Sequence, residues 1–201
     1  MIAILTGDII NSRELKDSNE WIVPFKEAFN SLGNEPKNWE IFRGDSFQLE
    51  VAPENALYVA IQLKTTAKNI LPLDVRIAIG IGEKEYDSEN ITESNGEAFI
   101  NSGEQFDELK KVTLAIKSPW KEVDEQLNLS LELALLTMDN WSQNSAEIFK
   151  LSMKNQKITQ KELGDQLGIT QGRVSERQKR AGFDEIMKLE SHYRKLISAK
   201  V

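Results

Sequence analysis

The chain has 201 residues, with 25 Lys/Arg against 32 Asp/Glu, one histidine and no cysteine. That length suits one large domain or a medium domain with a small one, and the cysteine count excludes disulfides and Cys-ligated zinc. No apolar run approaches the ~20 residues of a membrane span, and MIAILTGD is too short and too early broken by Asp8 for a signal peptide, so a cytoplasmic protein is expected. The lone His192 lies among polar residues near the C-terminus, which leaves little from which to build a Ser-His-Asp triad or a His-rich metal site.

The net charge of −7 is unevenly spread. Residues 142–201 hold 12 Lys/Arg against 7 Asp/Glu, whereas residues 1–141 hold 13 against 25. A basic terminal part beside an acidic body points to nucleic acid for the former, because phosphate attraction is local to the contacting face.

In chain order, IAILTGD reads as a buried strand that delivers Asp8 at its end. Trp21, Phe25, Ala28, Phe29 and Leu32 then recur at helical spacing, with Gly33-Asn34 as a stop and Pro24 expected in the first turns. A hairpin over residues 38–52 follows, with Arg43, Gly44 and Asp45 at its tip. Pro53 opens a second helix whose apolar face is Ala56, Ala60, Leu63, Ala67 and Ile70. LDVRIAIGIG is nearly continuous in Ile and Val and hence a central strand. After a polar loop, Phe99, Ser102, Phe106 and Leu109 mark a third helix, with Ser102 and Gly103 small enough to seat it close to a sheet, and VTLAIKS is a last strand.

The order β-α-β-β-α-β-α-β predicts an α+β fold, a ferredoxin-like βαββαβ sheet extended by αβ. That topology brings the end of the first strand beside the hairpin tip, so Asp8 and Asp45 meet. Two close carboxylates repel unless a cation lies between them, and such a pair suits Mg²⁺ or Mn²⁺ held against a nucleotide's phosphates. Both aspartates also fit plain strand ends.

Residues 119–140 read as a connecting helix opened by Pro119, with Val123, Leu127, Leu131, Ala134 and Leu135 on one face, to pack on the body or on a second subunit. From Trp141 a three-helix unit begins. Within it ITQKELGDQLGITQGRVSERQKRAG has helix-turn-helix spacing: Thr159 and Thr170 suit caps, Leu163 and Leu167 face inward, Gly164 permits a close crossing, Gly168 makes the turn and Ile169 plugs the core. Its second helix would enter the major groove of duplex DNA with Gln171, Ser175, Glu176 and Lys179, while Arg173, Lys179 and Arg180 reach phosphates. Arg177 stands where an apolar residue is usual, its stem over the core edge and its head toward the backbone.

The motifs TGDIINS, RGDSF, VRIAIGIG and NGEAFINSG, in that order, resemble the catalytic domain of class III nucleotidyl cyclases and the related diguanylate cyclases. The resemblance covers about residues 1–118 and implies a palm-like domain in which Asp8 and Asp45 bind metal ions, with the Ile9 carbonyl as a further ligand and Arg43 and Gly44 near the nucleotide. It also implies that Asn101 steadies the ribose, and here the sequence departs, since Gln105 occupies the place of the family's arginine. Arg43 or Arg76 is the candidate replacement, although Arg76 also has Asp74 and Glu83 nearby in sequence. TGDIINSR, GEAFINSGEQFDEL and the helix-turn-helix stretch together are similar to the bacterial SatD family over nearly the whole chain.

The expected layout is a cyclase-like domain over 1–118, a connecting helix over 119–140 and a DNA-binding domain over 141–201. The expected function is a homodimeric transcriptional regulator whose cyclase-like domain binds a nucleotide or metal. The alternatives are an active metal-dependent nucleotidyl cyclase or nucleotidyltransferase tethered to DNA, and a protein-interaction module with no ligand.

Overall fold

Asp8 is placed by a five-stranded mixed sheet, described by a computed structural model that covers residues 1–201. The strands are β1 (Ile2–Ile10), β2 (Trp39–Phe42), β3 (Ser46–Val51), β4 (Asp74–Gly82) and β5 (Leu114–Lys117). They lie in the order β2-β3-β1-β4-β5, with β1 antiparallel to both neighbours, β2 antiparallel to β3 and β5 parallel to β4. Asp8 pairs with Ser46 on one side and Arg76 on the other, and β1 runs two residues beyond it.

Alternation along the strands separates two faces. Leu5, Ile9, Phe47, Leu49, Ile77 and Ile79 join the main core, covered by α1 (Asn19–Asn30) and α2 (Ala56–Lys68). On α1 the buried rings are Trp21, Phe25 and Phe29, while Leu32, expected on that stripe, lies beyond the helix end and is exposed. Pro24 is the sixth residue of the helix, in its second turn, and the helix continues past it. The opposite sheet face carries Ile4, Thr6 and Ala78 under α3 (Glu97–Glu108), where the Thr6 hydroxyl donates to Ser102 Oγ at 3.0 Å. Gly80 of β4, rather than Gly103, makes this approach possible: a Cβ there would lie 2.2 Å from the Ser102 backbone nitrogen, whereas one on Gly103 would meet nothing.

The helix α4 (Lys121–Met138) follows β5 and buries Leu127, Leu131, Leu135 and Met138. Four further helices complete the chain: α5 (Gln143–Lys154), α6 (Gln160–Leu167), α7 (Gln171–Ala181) and α8 (Phe183–Ser198). They do not form a detached unit. One cluster of 38 buried apolar residues runs from β1 through α2 to α8, and polar ties join the terminal helices to the body: Tyr193 Oη donates to the Pro53 carbonyl at 2.7 Å and Tyr58 Oη to the Met153 carbonyl at 3.3 Å. Because α5 and α8 cover what would be its solvent side, α2 is buried almost all round, including Lys64. That ammonium is satisfied by Asp74 at 2.8 Å, Asp139 at 2.7 Å and Thr113 Oγ1 at 3.0 Å. No helix is long and apolar enough to cross a membrane.

Candidate functional site

Two places gather the residues singled out by the sequence. The first is the sheet end carrying Asp8. The hairpin loop between Phe42 and Ser46 turns with Arg43 at φ 51° and Gly44 at φ 96°, and the left-handed conformation at two successive residues folds the chain sharply enough to return Asp45 toward β1. The Asp45 carbonyl accepts from the Ile9 backbone N–H at 3.0 Å, and its Oδ2 accepts from Ser12 Oγ at 2.8 Å. Asp8 and Asp45 therefore line one cavity of about 510 Å³, together with Ile9, Asn11, Ser12, Arg13 and Arg76. A smaller hollow of about 260 Å³ adjoins it, sharing Ser12, Arg13 and Asp45 and adding Lys16, Ser18, Arg43 and Gly44.

The charge on Asp8 is met by an arginine. Arg76 Nε donates to Asp8 Oδ1 at 2.9 Å while its terminal nitrogen donates to Oδ2, a bidentate clamp. The guanidinium lies 5.4 Å from the ring centroid of Phe106, and its hydrogen bond to Asp8 raises its pKa above the ordinary arginine value. Neither Asp74, which binds Lys64 and Lys68, nor Glu83, near the N-terminal amine, is its partner.

Asn101 is not brought to this cavity. Its Nδ2 donates to the Ile81 carbonyl at 2.8 Å and the residue is buried. Ile81 lies five residues along β4 from Arg76, roughly 16 Å at the strand rise. Nowhere do three His, Cys, Asp or Glu side chains converge in a way that could hold a metal ion. The oxygen donors lining this cavity include Asp45, the Ser12 hydroxyl, Glu14 and a clamped Asp8. A divalent cation fits this set only with additional oxygens, such as those of a phosphate chain. Arg13 and Lys16, which line the smaller hollow, were missed by the sequence reading; the signal was their place in the β1–α1 connection, five and eight residues after Asp8.

The second place is the α6–α7 hairpin. Thr159 and Glu162 form a reciprocal capping box on α6, and the Thr170 hydroxyl accepts from the Arg173 N–H to cap α7. Gly168 turns the chain at φ 64°, and a Cβ on Gly164 would lie 2.7 Å from the Ile169 carbonyl oxygen, so the close crossing requires glycine. Val174 and Ala181 are buried, while Gln171, Arg173, Ser175, Glu176, Lys179 and Arg180 are exposed. Arg177 turns away from that outer face, its head 3.6 Å from Glu147 of α5, and Arg180 binds Glu176 at 2.6 Å. Arg173 and Lys179 are the cations of α7 without an ion-pair partner.

An amide chain positions Gln171. Its Nε2 donates to Gln160 Oε1 at 3.2 Å, Gln160 donates to Gln178 Oε1 at 2.8 Å, and Gln178 donates to Ser152 Oγ at 2.8 Å. Gln160 and Gln178 were also missed by sequence, because pairing across two helices depends on the crossing itself.

A model of the SatD family matches residues 1–197, and the chain belongs to that family. No curated protein and no solved structure matches it.

Proposed function

We propose that this SatD-family chain is a DNA-binding transcriptional regulator whose sheet-end cavity takes a nucleotide as ligand. The observation that carries the DNA part is the capped α6–α7 hairpin, with the polar outer face of α7 free and its inner face buried. Arg173 and Lys179 are placed for phosphates, while Gln171, held by Gln160, and Ser175 present hydrogen-bonding groups to base edges. Binding of duplex fragments at low salt, followed by fluorescence anisotropy, tests it. Affinity should fall steeply with added salt, by about 0.9 in log K per log salt for each phosphate neutralised. Absence of any duplex binding at low salt would sink the reading.

The ligand part is supported by cations beside carboxylates. Arg13, Lys16 and Arg43 suit the phosphates, and Asp45 suits a Mg²⁺ or Mn²⁺ that arrives bound to them. When bound, such a cation would neutralise phosphate charge. Ser12 fixes the Asp45 carboxylate, and the Ile9 N–H fixes its backbone.

The strand order β2-β3-β1-β4, with every neighbour antiparallel, favours a ferredoxin-like, palm-like reading of the body and keeps a second function in view, a metal-dependent nucleotidyl cyclase or nucleotidyltransferase. Gln105 in place of a cation and the Arg76 clamp on Asp8 weigh against turnover. Incubation with each NTP and Mn²⁺ distinguishes the two: a thermal shift without product supports the ligand reading, whereas a new product lost in Asp45→Ala supports the enzyme.

A further inference from the structure

A cavity of about 560 Å³ lies behind the α6–α7 hairpin, walled by α5, the α5–α6 connection, α7 and α8. Its volume is that of a small-molecule site. Ile158, Phe183 and Met187 form an apolar wall, and hydroxyl, amide and charged groups form the rest.

The charged groups are Glu190 and Arg194 of α8. Glu190 is only 5% exposed. Its Oε1 accepts from Arg194 twice, at 3.1 Å from Nε and again from a terminal nitrogen, while the other terminal nitrogen donates to Asn55 Oδ1 at 2.6 Å. Glu190 Oε2 accepts no hydrogen bond. No side-chain oxygen or nitrogen of the chain is both fully buried and unpartnered, so Oε2 keeps an opening, and the opening of so buried a residue is the cavity that it lines. A carboxylate oxygen in that position is costly unless something in the cavity donates to it.

We propose that this cavity is a binding site for an α-amino acid with an apolar side chain. The lining carries one carboxylate and one guanidinium, so it has no net charge, which disfavours a simple cation or anion and suits a zwitterion. The ligand's ammonium is set at Glu190 Oε2. Its carboxylate is set at the remaining N–H groups of Arg194, whose planar fork has more donors than the contacts to Glu190 and Asn55 use. Ile158, Phe183 and Met187 take the side chain.

The cavity also has a route to α7. Ser152 and Gln178 line it, and they are the last two members of the amide chain that runs through Gln160 to Gln171. An occupant that bonds to either one acts on the groups holding Gln171, so ligand and duplex affinities are coupled, each changing the other by the same factor. This regulatory role rests on the DNA-binding reading; the site itself does not.

Titration calorimetry of the full chain tests the site, with L-leucine, L-methionine and L-phenylalanine as probes. At least one should bind. The analogues of the best binder that lack its carboxylate or its ammonium should bind at least about tenfold more weakly, because each gives up a charge-assisted contact. Glu190→Gln should weaken binding by a similar factor. That change also removes the partner charge of Arg194, so Ser191→Trp serves as a second variant: Ser191 is an exposed residue of the cavity wall, and the ring should fill the cavity and abolish binding while the melting temperature stays as in wild type. Failure of all three probes to bind, an amine or acid analogue that binds as well as the amino acid, or undiminished binding by Ser191→Trp would overturn the proposal. Anisotropy of labelled duplexes with and without saturating ligand tests the coupling, and duplex affinity should change at least about fivefold. Duplex affinity indifferent to a ligand that binds would overturn the regulatory role, whereas absence of duplex binding would sink the DNA-binding reading and leave the amino-acid site to be judged by calorimetry.

Discussion

Arg76 sets the charge of the sheet end to which a nucleotide ligand is proposed to bind. With both oxygens of Asp8 held by one guanidinium, the charge that Asp8 brings to the cavity is offset, which favours the proposed phosphate ligand. Replacing it, Arg76→Met, should leave Asp8 unpaired and reverse the preference of the site: Mn²⁺ binding should strengthen and nucleotide binding weaken, read by titration calorimetry. The cost in stability is expected at only about 1 kcal/mol, because the pair is partly exposed and screened. Unchanged Mn²⁺ affinity in the variant would contradict this role. The meeting of Asp8 and Asp45 was legible from strand order alone. The arginine was not, because its partner is fixed by the β1–β4 register, which sets Asp8 opposite Arg76, whereas sequence proximity suggested Asp74 or Glu83. Asn101 misled for a related reason: motif spacing placed it on α3, but helix phase turned its amide to the Ile81 carbonyl.

At the scale of elements, the α6–α7 hairpin was the most legible part of the chain, since caps, turn glycine and core positions are all local signals. Its glycine at position 164 is needed for space rather than conformation, as the Ile169 carbonyl oxygen fills the place of a side chain. Gly164→Ala should destabilise by roughly 1–3 kcal/mol, the usual cost of overpacking, measured by denaturant unfolding. A variant as stable as wild type would show that the crossing is looser than described. The α6 cap carries a pH signature. Hydrogen bonds from the Thr159 backbone and hydroxyl hold the Glu162 carboxyl below its ordinary value of 4.5. A depressed carboxylate pKa contributes stability that is complete above the unfolded value and fades as pH falls through the folded one, so the box weakens only in acid below about pH 4.5. Thr159→Ala, which should cost about 1 kcal/mol at neutral pH, should lose part of that penalty there. The connecting helix was read less well. Its inner stripe at Leu127, Leu131 and Leu135 was anticipated, but the exposed outer leucines, Leu129, Leu133 and Leu136, were not, because the apolar positions of α4 cover two faces and periodicity identifies only the stronger.

For the whole molecule, the charge division along the chain suggested two separate parts, yet the apolar core is continuous from the sheet to α8. Helix α2 is the shared element, with the sheet on one side and α5 and α8 on the other. Its buried Lys64 ties together β4, through Asp74, and the end of α4, through Asp139. Lys64→Met should leave Asp139 without its cation and Asp74 with Lys68 alone, cost about 3–5 kcal/mol, and lower sheet and helical signals in one transition. Two separated melts would mean that the terminal helices fold apart from the body. A sequence can show that α2 has an apolar face, but not that a distant segment returns to cover the other one.

The central claim is that α7 reads duplex DNA, and the direct measurement is anisotropy of a labelled set of mixed-sequence duplexes over a salt series, with wild type and with Arg173→Ala/Lys179→Ala. The account predicts binding that weakens as salt rises, and a log–log slope shallower by about 2 in the double variant, one for each phosphate contact removed. Equal slopes for the two proteins, or no binding by wild type at the lowest salt, would contradict it.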